Sequence, residues 1–188
     1  IDHTSANNTV QGNTITGNAE HGILVSGASL YNSLRSNVIT SNDGDGIRLV
    51  DGGNNAIPAP VIDEFSVDRQ RVQGSVDDSV PEGSIVDVFG DPMDEGEKHI
   101  GSCMATNQRF YLRARVPDGM ALHALVTDPD GNTSAFGPYS HALLAKPRPT
   151  SLVFTSTRNG NEEIYILNSG SSVPQRLTRH PAADCRPR

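Results

Sequence analysis

Residues 8–25 and 32–49 can be laid over one another at a shift of 24 residues with their chemistry kept at most positions. Asn8 meets Asn32, Val10 meets Leu34, Asn13 meets Asn37 and Asn18 meets Asn42. Ile15 and Thr16 meet Ile39 and Thr40, Gly22 and Ile23 meet Gly46 and Ile47, and Val25 meets Leu49. A repeat of this length is one supersecondary unit that cannot bury its apolar face alone, so copies must stack. The apolar positions Val10, Ile15, Ile23 and Val25 fall in short patches without a helical stripe, which makes each repeat a coil of short strands. Asn and Gly accept the left-handed backbone of sharp corners. Coils stacked about 4.8 Å apart also stack their equal positions, so Asn13 over Asn37 and Asn18 over Asn42 are expected to form amide ladders.

On these residues, positions 1–57 resemble the right-handed parallel β-helix repeats of pectate-lyase-like and periplasmic copper-maturation-type proteins, with Asn55, Ala56 and Ile57 opening a further coil. Many members of that superfamily bind or cleave acidic polysaccharides. The resemblance therefore raises polysaccharide lyase or glycoside hydrolase chemistry, which needs paired carboxylates or a base with calcium or arginine. The local candidates are Glu20, His21, Asp43 and Asp45, and at a shift of 24 His21 lies over Asp45. Turn chemistry accounts for the same residues: Asp43, Gly44, Asp45 and Gly46 suit a corner, and no Lys or Arg is expected on that edge. The reading adopted is that no catalytic residue lies in this chain.

After Pro58, Ala59 and Pro60, which break the repeat as a stiff joint, the pattern turns to period two. Residues 84–89, 110–116 and 121–126 read as strands; in the second, Phe110, Leu112, Ala114 and Val116 share one face. Turn clusters at 80–83, 117–119 and 128–132 separate them and suggest a small sandwich over 58–140. Positions 72–75, 83–89, 100–101 and especially 127–136 resemble the immunoglobulin-like domains of large bacterial surface proteins, which implies a spacer or adhesion module. The stretch lacks the Cys pair and core Trp of antibody-type domains, and Cys103 is expected to be a small half-buried residue. Asp128, Asp130 and Asn132 offer alternate oxygens as calcium loops do, but a β-turn selects the same residues and no glutamate closes the loop. The acidic run 91–97 reads as a solvated hairpin tip.

Positions 141–150 read as a linker. Beyond it, residues 152–156, 162–167 and 175–178 read as strands separated by turns. Phe154 to Ser156, Arg158 to Asn161, Glu163 to Tyr165, Asn168, Leu177, Thr178, Pro181 and Asp184 resemble a blade of TolB-like propellers. That resemblance implies a truncated propeller blade over 151–188, and with it the alternative of a periplasmic accessory protein like TolB. One blade cannot close a ring, so it is expected to be poorly supported or to pack on the second module. Phe154 and Tyr165 are read as packing.

The net charge of −7 divides as −3 over 1–58, −8 over 59–140 and +4 over 141–188. An acidic middle argues against nucleic acid, which needs a basic face. No apolar run approaches the roughly 20 residues of a bilayer span, and no leader precedes Ile1, so the sequence reads as a piece of a longer chain. Cys103 and Cys185 are too few for a disulfide scaffold. The expectation is an all-β, exported multi-module protein of the periplasm, extracellular space or cell surface. It would act as a scaffold that binds polysaccharide or a surface protein, with no cofactor unless calcium.

Overall fold

The computed structural model describes residues 1–66, 70–91, 95–117, 119–140, 151–158, 160–168 and 172–179. The linker 141–150, Asp94, Pro181, Asp184 and Cys185 lie outside them. The chain forms two compact units, Ile1–Ala145 and Lys146–Arg188. Apart from one short 3₁₀ turn, every regular element is a strand. Among the described residues no helix is long and apolar enough to cross a membrane.

The 24-residue repeat becomes two stacked coils. Strands β1 (Thr14–Thr16) and β2 (Ile23–Ser26) belong to the first, β3 (Val38–Thr40) and β4 (Ile47–Val50) to the second. They pair in parallel at the register of the repeat, Ile15 with Ile39 and Ile23 with Ile47. The amide ladders form. The backbone N–H and Nδ2 of Asn8 donate to Asn32 Oδ1 at 3.1 and 2.7 Å, those of Asn13 to Asn37 Oδ1 at 3.0 and 3.2 Å, and those of Asn18 to Asn42 Oδ1 at 3.1 and 2.7 Å. Each rung satisfies a corner N–H that no strand partner can reach. The further coil expected at 55–57 does not develop. Instead the chain turns at Gly53–Ala56 with Asn54, Asn55 and Ala56 all at positive φ, and it is Asn54 that takes the next rung. Gly53 permits this closure, since a Cβ there would sit 2.3 Å from the Val25 carbonyl oxygen.

Six strands follow: β5 (Val61–Ser66), β6 (Arg71–Ser75), β7 (Ile85–Asp91), β8 (Lys98–Met104), β9 (Arg109–Arg113) and β10 (Ala121–Thr127). They make two antiparallel three-stranded sheets, ordered β5-β6-β9 and β10-β7-β8. Ile62, Phe65, Val72, Phe110 and Leu112 from the first sheet and Val86, Val88, Leu122, Ala124 and Val126 from the second share one buried apolar core. The β9 strand alternates between buried and exposed positions as its sequence predicts.

Strands β7 and β10 do not alternate. Every residue of β10, and every residue of β7 after Ile85, is buried. The reason is the coil: Phe89 and Leu125, on the faces turned away from the two-sheet core, complete a second core with Ile23, Val25, Leu34, Ile39 and Ile47. Strands β10 and β7 are thus covered on both faces, while β8 at the sheet edge stays exposed or half-buried. Of the run 91–97, Asp91 and Glu95 are buried, at only 2% and 3% exposed, where a solvated tip is expected, while Glu97 is exposed. Pro58, Ala59 and Pro60 fall within the first unit. Gly137 packs so closely on that stretch that a Cβ would meet the Pro60 oxygen at 2.0 Å.

The second unit is an antiparallel meander of β11 (Ser151–Ser156), β12 (Glu163–Asn168) and β13 (Gln175–Arg176). The Phe154 and Tyr165 rings stack at 5.9 Å, and the Arg158 guanidinium lies 4.6 Å from the Tyr165 centroid. Buried Glu163 accepts hydrogen bonds from Thr178 Oγ1 at 2.6 Å and from Arg176. Thr178 foremost, with Arg176, lowers its carboxyl below the usual range against the opposing effect of burial. Leu152, Val173 and Leu177 are exposed.

Candidate functional site

The second coil ends in a row of backbone N–H groups that another coil would satisfy, and the two-sheet module and the closing turn 53–56 supply their acceptors. Tyr31 N–H donates to Asn132 Oδ1 at 2.7 Å, Leu34 N–H to Thr133 Oγ1 at 3.0 Å, and Asn32 N–H to Asn54 Oδ1 at 3.0 Å. Asn54 is held in turn by Nδ2 bonds to the carbonyl oxygens of Asn32 and Thr133 at 2.7 and 2.9 Å. At the third ladder Glu95 takes the place of an asparagine. Its Oε1 accepts from Asn42 Nδ2 at 2.7 Å, and its two oxygens accept the Asn42 N–H at 3.2 Å each. Between these points Ile39 and Gly96 exchange a pair of backbone hydrogen bonds at 3.0 and 2.9 Å.

A bidentate ion pair pins the junction. Arg35 Nε and Nη2 donate to the fully buried Asp87 at 2.7 and 3.0 Å. Ser102 Oγ also donates to Asp87 Oδ1, with His99 Nε2 3.3 Å from that oxygen. Burial pushes the Asp87 carboxyl up, but the hydrogen bonds of His99, Arg35 and Ser102 and the charge of Arg35 outweigh it and hold it at about 2. Ser102, His99 and Asp87 do not form a catalytic relay. Ser102 and Asp87 both face the same imidazole nitrogen, whereas a relay needs the acid on one nitrogen and the nucleophile on the other.

The four catalytic candidates share one corner. His21 Nδ1 accepts the Asp45 N–H at 2.9 Å, while Gly44 N–H donates to the Glu20 carbonyl at 2.6 Å and Asp43 N–H to the Asn18 carbonyl at 2.9 Å. Glu20 and Asp43 are exposed. The expectation that no arginine sits on this edge is corrected: Arg48 Nη1 donates to Asp45 Oδ2 at 2.8 Å. Arg48 follows Ile47 in β4, and the strand's alternation turns it outward beside the corner. A cleft of about 460 Å³ opens here, with residues 45–49 along one wall, 135–139 along the other, and buried His123 between them.

The suggested calcium loop is engaged at the junction. Asp128 Oδ1 and Oδ2 accept the N–H and Nδ2 of Asn132 at 2.8 Å each, and the remaining amide oxygen of Asn132 receives Tyr31. Asp130 is exposed and lines a neighbouring cavity of about 440 Å³ with Asp128, Asn132 and Asn55. Burial pushes the half-buried Cys103 thiol up to about 11, far from the depressed value of a nucleophilic cysteine.

Sequence reasoning missed Arg35, Glu95, Asn54 and Thr133, each of which acts across a long sequence separation. One signal was present: the uninterrupted buried run of β10, with His123 inside it, reads as a strand covered on both faces.

Comparison with known proteins agrees with the coil architecture. Residues 2–65 match a family model described as periplasmic copper-binding protein (NosD). The match runs from the first coil into β5, about a third of the chain, and its periplasmic description agrees with the expected exported location. No curated protein and no solved structure matches. The description names copper, whereas the residues suggested calcium alone. Copper sites draw on His, Cys and Met, and among the described residues no group of three or more His, Cys, Asp or Glu could hold a metal. His21 and His99 are both engaged with aspartates. Copper is the description of the matched family only.

Proposed function

We propose that the chain is a non-catalytic scaffold segment of an exported, periplasmic or surface protein, in which a β-helix is closed by a dedicated cap. The observation that carries this reading is the set of side-chain oxygens from Asn132, Thr133 and Glu95 standing where a next coil would put its own acceptors. An open coil end exposes unpaired strand groups that invite aggregation, and solenoids need atypical terminal units for this reason. The immunoglobulin-like reading of the two-sheet module and the TolB-like blade reading of the second unit extend the proposal. In both, the module presents surface for a glycan or protein partner. Two small antiparallel sheets around one core and a three-stranded meander support those readings.

Turnover of polygalacturonate by the full chain, with and without added calcium, tests the non-catalytic part. We expect none; measurable cleavage that disappears in Asp45→Ala or Asp43→Ala overturns the proposal in favour of a polysaccharide lyase or hydrolase.

A further inference from the structure

The second coil departs from the first at two positions that meet in space. Where the first coil has His21 and Leu24, the second has Asp45 and Arg48, which pair at 2.8 Å on one wall of the cleft of about 460 Å³. That volume falls within the roughly 300–1,000 Å³ of small-ligand pockets. Asp45 is held from behind, since its backbone N–H donates to His21 Nδ1 at 2.9 Å. Arg48 Nη1 and Asp45 Oδ2 are spent on each other, while Arg48 Nε and Nη2 and Asp45 Oδ1 have no hydrogen-bond partner among the described residues. On the facing wall Tyr139 is 56% exposed, and its ring lies 5.7 Å from that of buried His123 between the two walls. Phe136 and Pro138 add apolar surface beside it.

These groups select a ligand chemistry. A carboxylate accepts hydrogen bonds and a guanidinium donates them, whereas an alcohol does both. Two neighbouring hydroxyls therefore satisfy the pair together, one donating to Asp45 Oδ1 and the other accepting from Arg48. An aromatic ring with open surface suits a flat ligand with an apolar side. A pyranose with neighbouring equatorial hydroxyls has both, a polar rim for the ion pair and a C–H face for the tyrosine. The local charge disfavours an acidic sugar, because Asp45 already neutralises Arg48 and the same corner carries the exposed carboxylates of Glu20 and Asp43.

We propose that this cleft is a binding site for a neutral glycan, in which Asp45 and Arg48 clamp neighbouring hydroxyls of a pyranose and Tyr139 stacks on its C–H face. The proposal rests on the reading of the chain as a scaffold that presents surface to a glycan, and it puts a neutral sugar in place of the acidic polysaccharides that the sequence resemblance raises. One partly solvated ion pair and one ring give modest affinity, a Kd of about 0.1–10 mM.

The test is a titration of the isotopically labelled full chain with cellotriose, β-1,4-galactotriose and trigalacturonate, followed by backbone amide shifts. At least one of the neutral sugars is expected to bind, with its shifts concentrated at 45–49 and 135–139 and with trigalacturonate weaker or silent. Tyr139→Ala and Arg48→Gln each weaken that sugar about fivefold or more, whereas Tyr139→Phe, which keeps the ring, stays within about twofold. No shift from either neutral sugar up to about 20 mM overturns the proposal, as do shifts outside the two walls, trigalacturonate binding as tightly, or unchanged affinity in Tyr139→Ala and Arg48→Gln. The shift map is read on the parent chain and decides the matter even where a variant fails to fold. Cleavage of a bound sugar would instead overturn the non-catalytic reading and leave the binding site standing.

Discussion

Replacing Arg35 by alanine removes the bidentate partner of a carboxylate that is completely buried between the coil and the two-sheet module. Breaking a buried ion pair from one side costs about 3–5 kcal/mol. Here Asp87 keeps Ser102 and His99 as partners and Arg35 is partly solvated, which lowers the expectation to roughly 2–3 kcal/mol. For a unit of this size that corresponds to a fall in Tm of roughly 5–10 °C. The pH dependence supplies a second reading. Asp87 sits at about 2 in the folded protein against an ordinary 3.8, so its contribution is complete above pH 4 and is lost as pH falls towards 2. This amounts to about 2 kcal/mol. In Arg35→Ala the folded value moves back up, and the loss of stability between pH 5 and pH 2.5 becomes smaller than in the parent chain. Urea unfolding followed by circular dichroism at several pH values measures both effects. A change below about 0.5 kcal/mol at pH 7, the level of an ordinary surface substitution, would refute the argument that Arg35 and Asp87 hold the junction together.

Three other substitutions or reagents read different parts of the same structure. Glu95→Ala leaves the N–H of Asn42 without its acceptor and removes the shortest of the three bonds made by Asn42 Nδ2, which keeps the longer ones to the Ile15 and Thr40 oxygens, and is expected to cost about 1–3 kcal/mol, whereas Glu95→Gln keeps a carbonyl oxygen there and recovers most of it; equal losses would show that the rung itself is unimportant. In Gly96→Ala the new methyl lies 2.5 Å from Phe136 Cζ and 3.2 Å from Phe89 Cδ1, so both rings must shift, and a loss of about 1–3 kcal/mol in denaturant unfolding is expected. Cys103, with its thiol near 11, carries roughly a hundredfold less thiolate at neutral pH than an ordinary cysteine at 9.0, so maleimide labelling of that residue in the native chain is slow and accelerates only in alkali or urea. Rapid native labelling at pH 7 would contradict the burial assigned to it.

The coil is written into the sequence because its determinants repeat. Asn13 and Asn37, or Ile23 and Ile47, are a fixed distance apart, and the same interaction that joins them in space marks them in the chain. The strands of the two-sheet module are equally legible where one face is wet, as in β9 with Tyr111 and Arg113 outside. The junction is not legible, because each of its residues has a sufficient local explanation. Asp128 and Asn132 suit a turn, and they do form one; only the fold reveals that the turn aims Asn132 at Tyr31, 101 residues away in sequence. Glu95 sits in an acidic run that would be solvated in isolation and is buried only because Asn42 reaches it. Arg48 escaped notice for a simpler reason: its pairing with Asp45 spans three residues of a corner, where strand geometry and not helical spacing brings them together.

The central claim is that coil and cap form one cooperative body, and native-state hydrogen exchange of the full chain tests it most directly. Leu34, Val38 and Ile39 report on the coil, their amides bonded to Thr133 Oγ1 and to the Asn13 and Gly96 oxygens, and Val86, Val88 and Leu122, in the two-sheet core, report on that module. The account predicts that their slowest amides open with a common free energy, and that Arg35→Ala lowers both sets by the same amount. Coil amides that open at markedly lower free energy, with the two-sheet amides unchanged by the substitution, would show two independent modules joined at 58–60 and would contradict it.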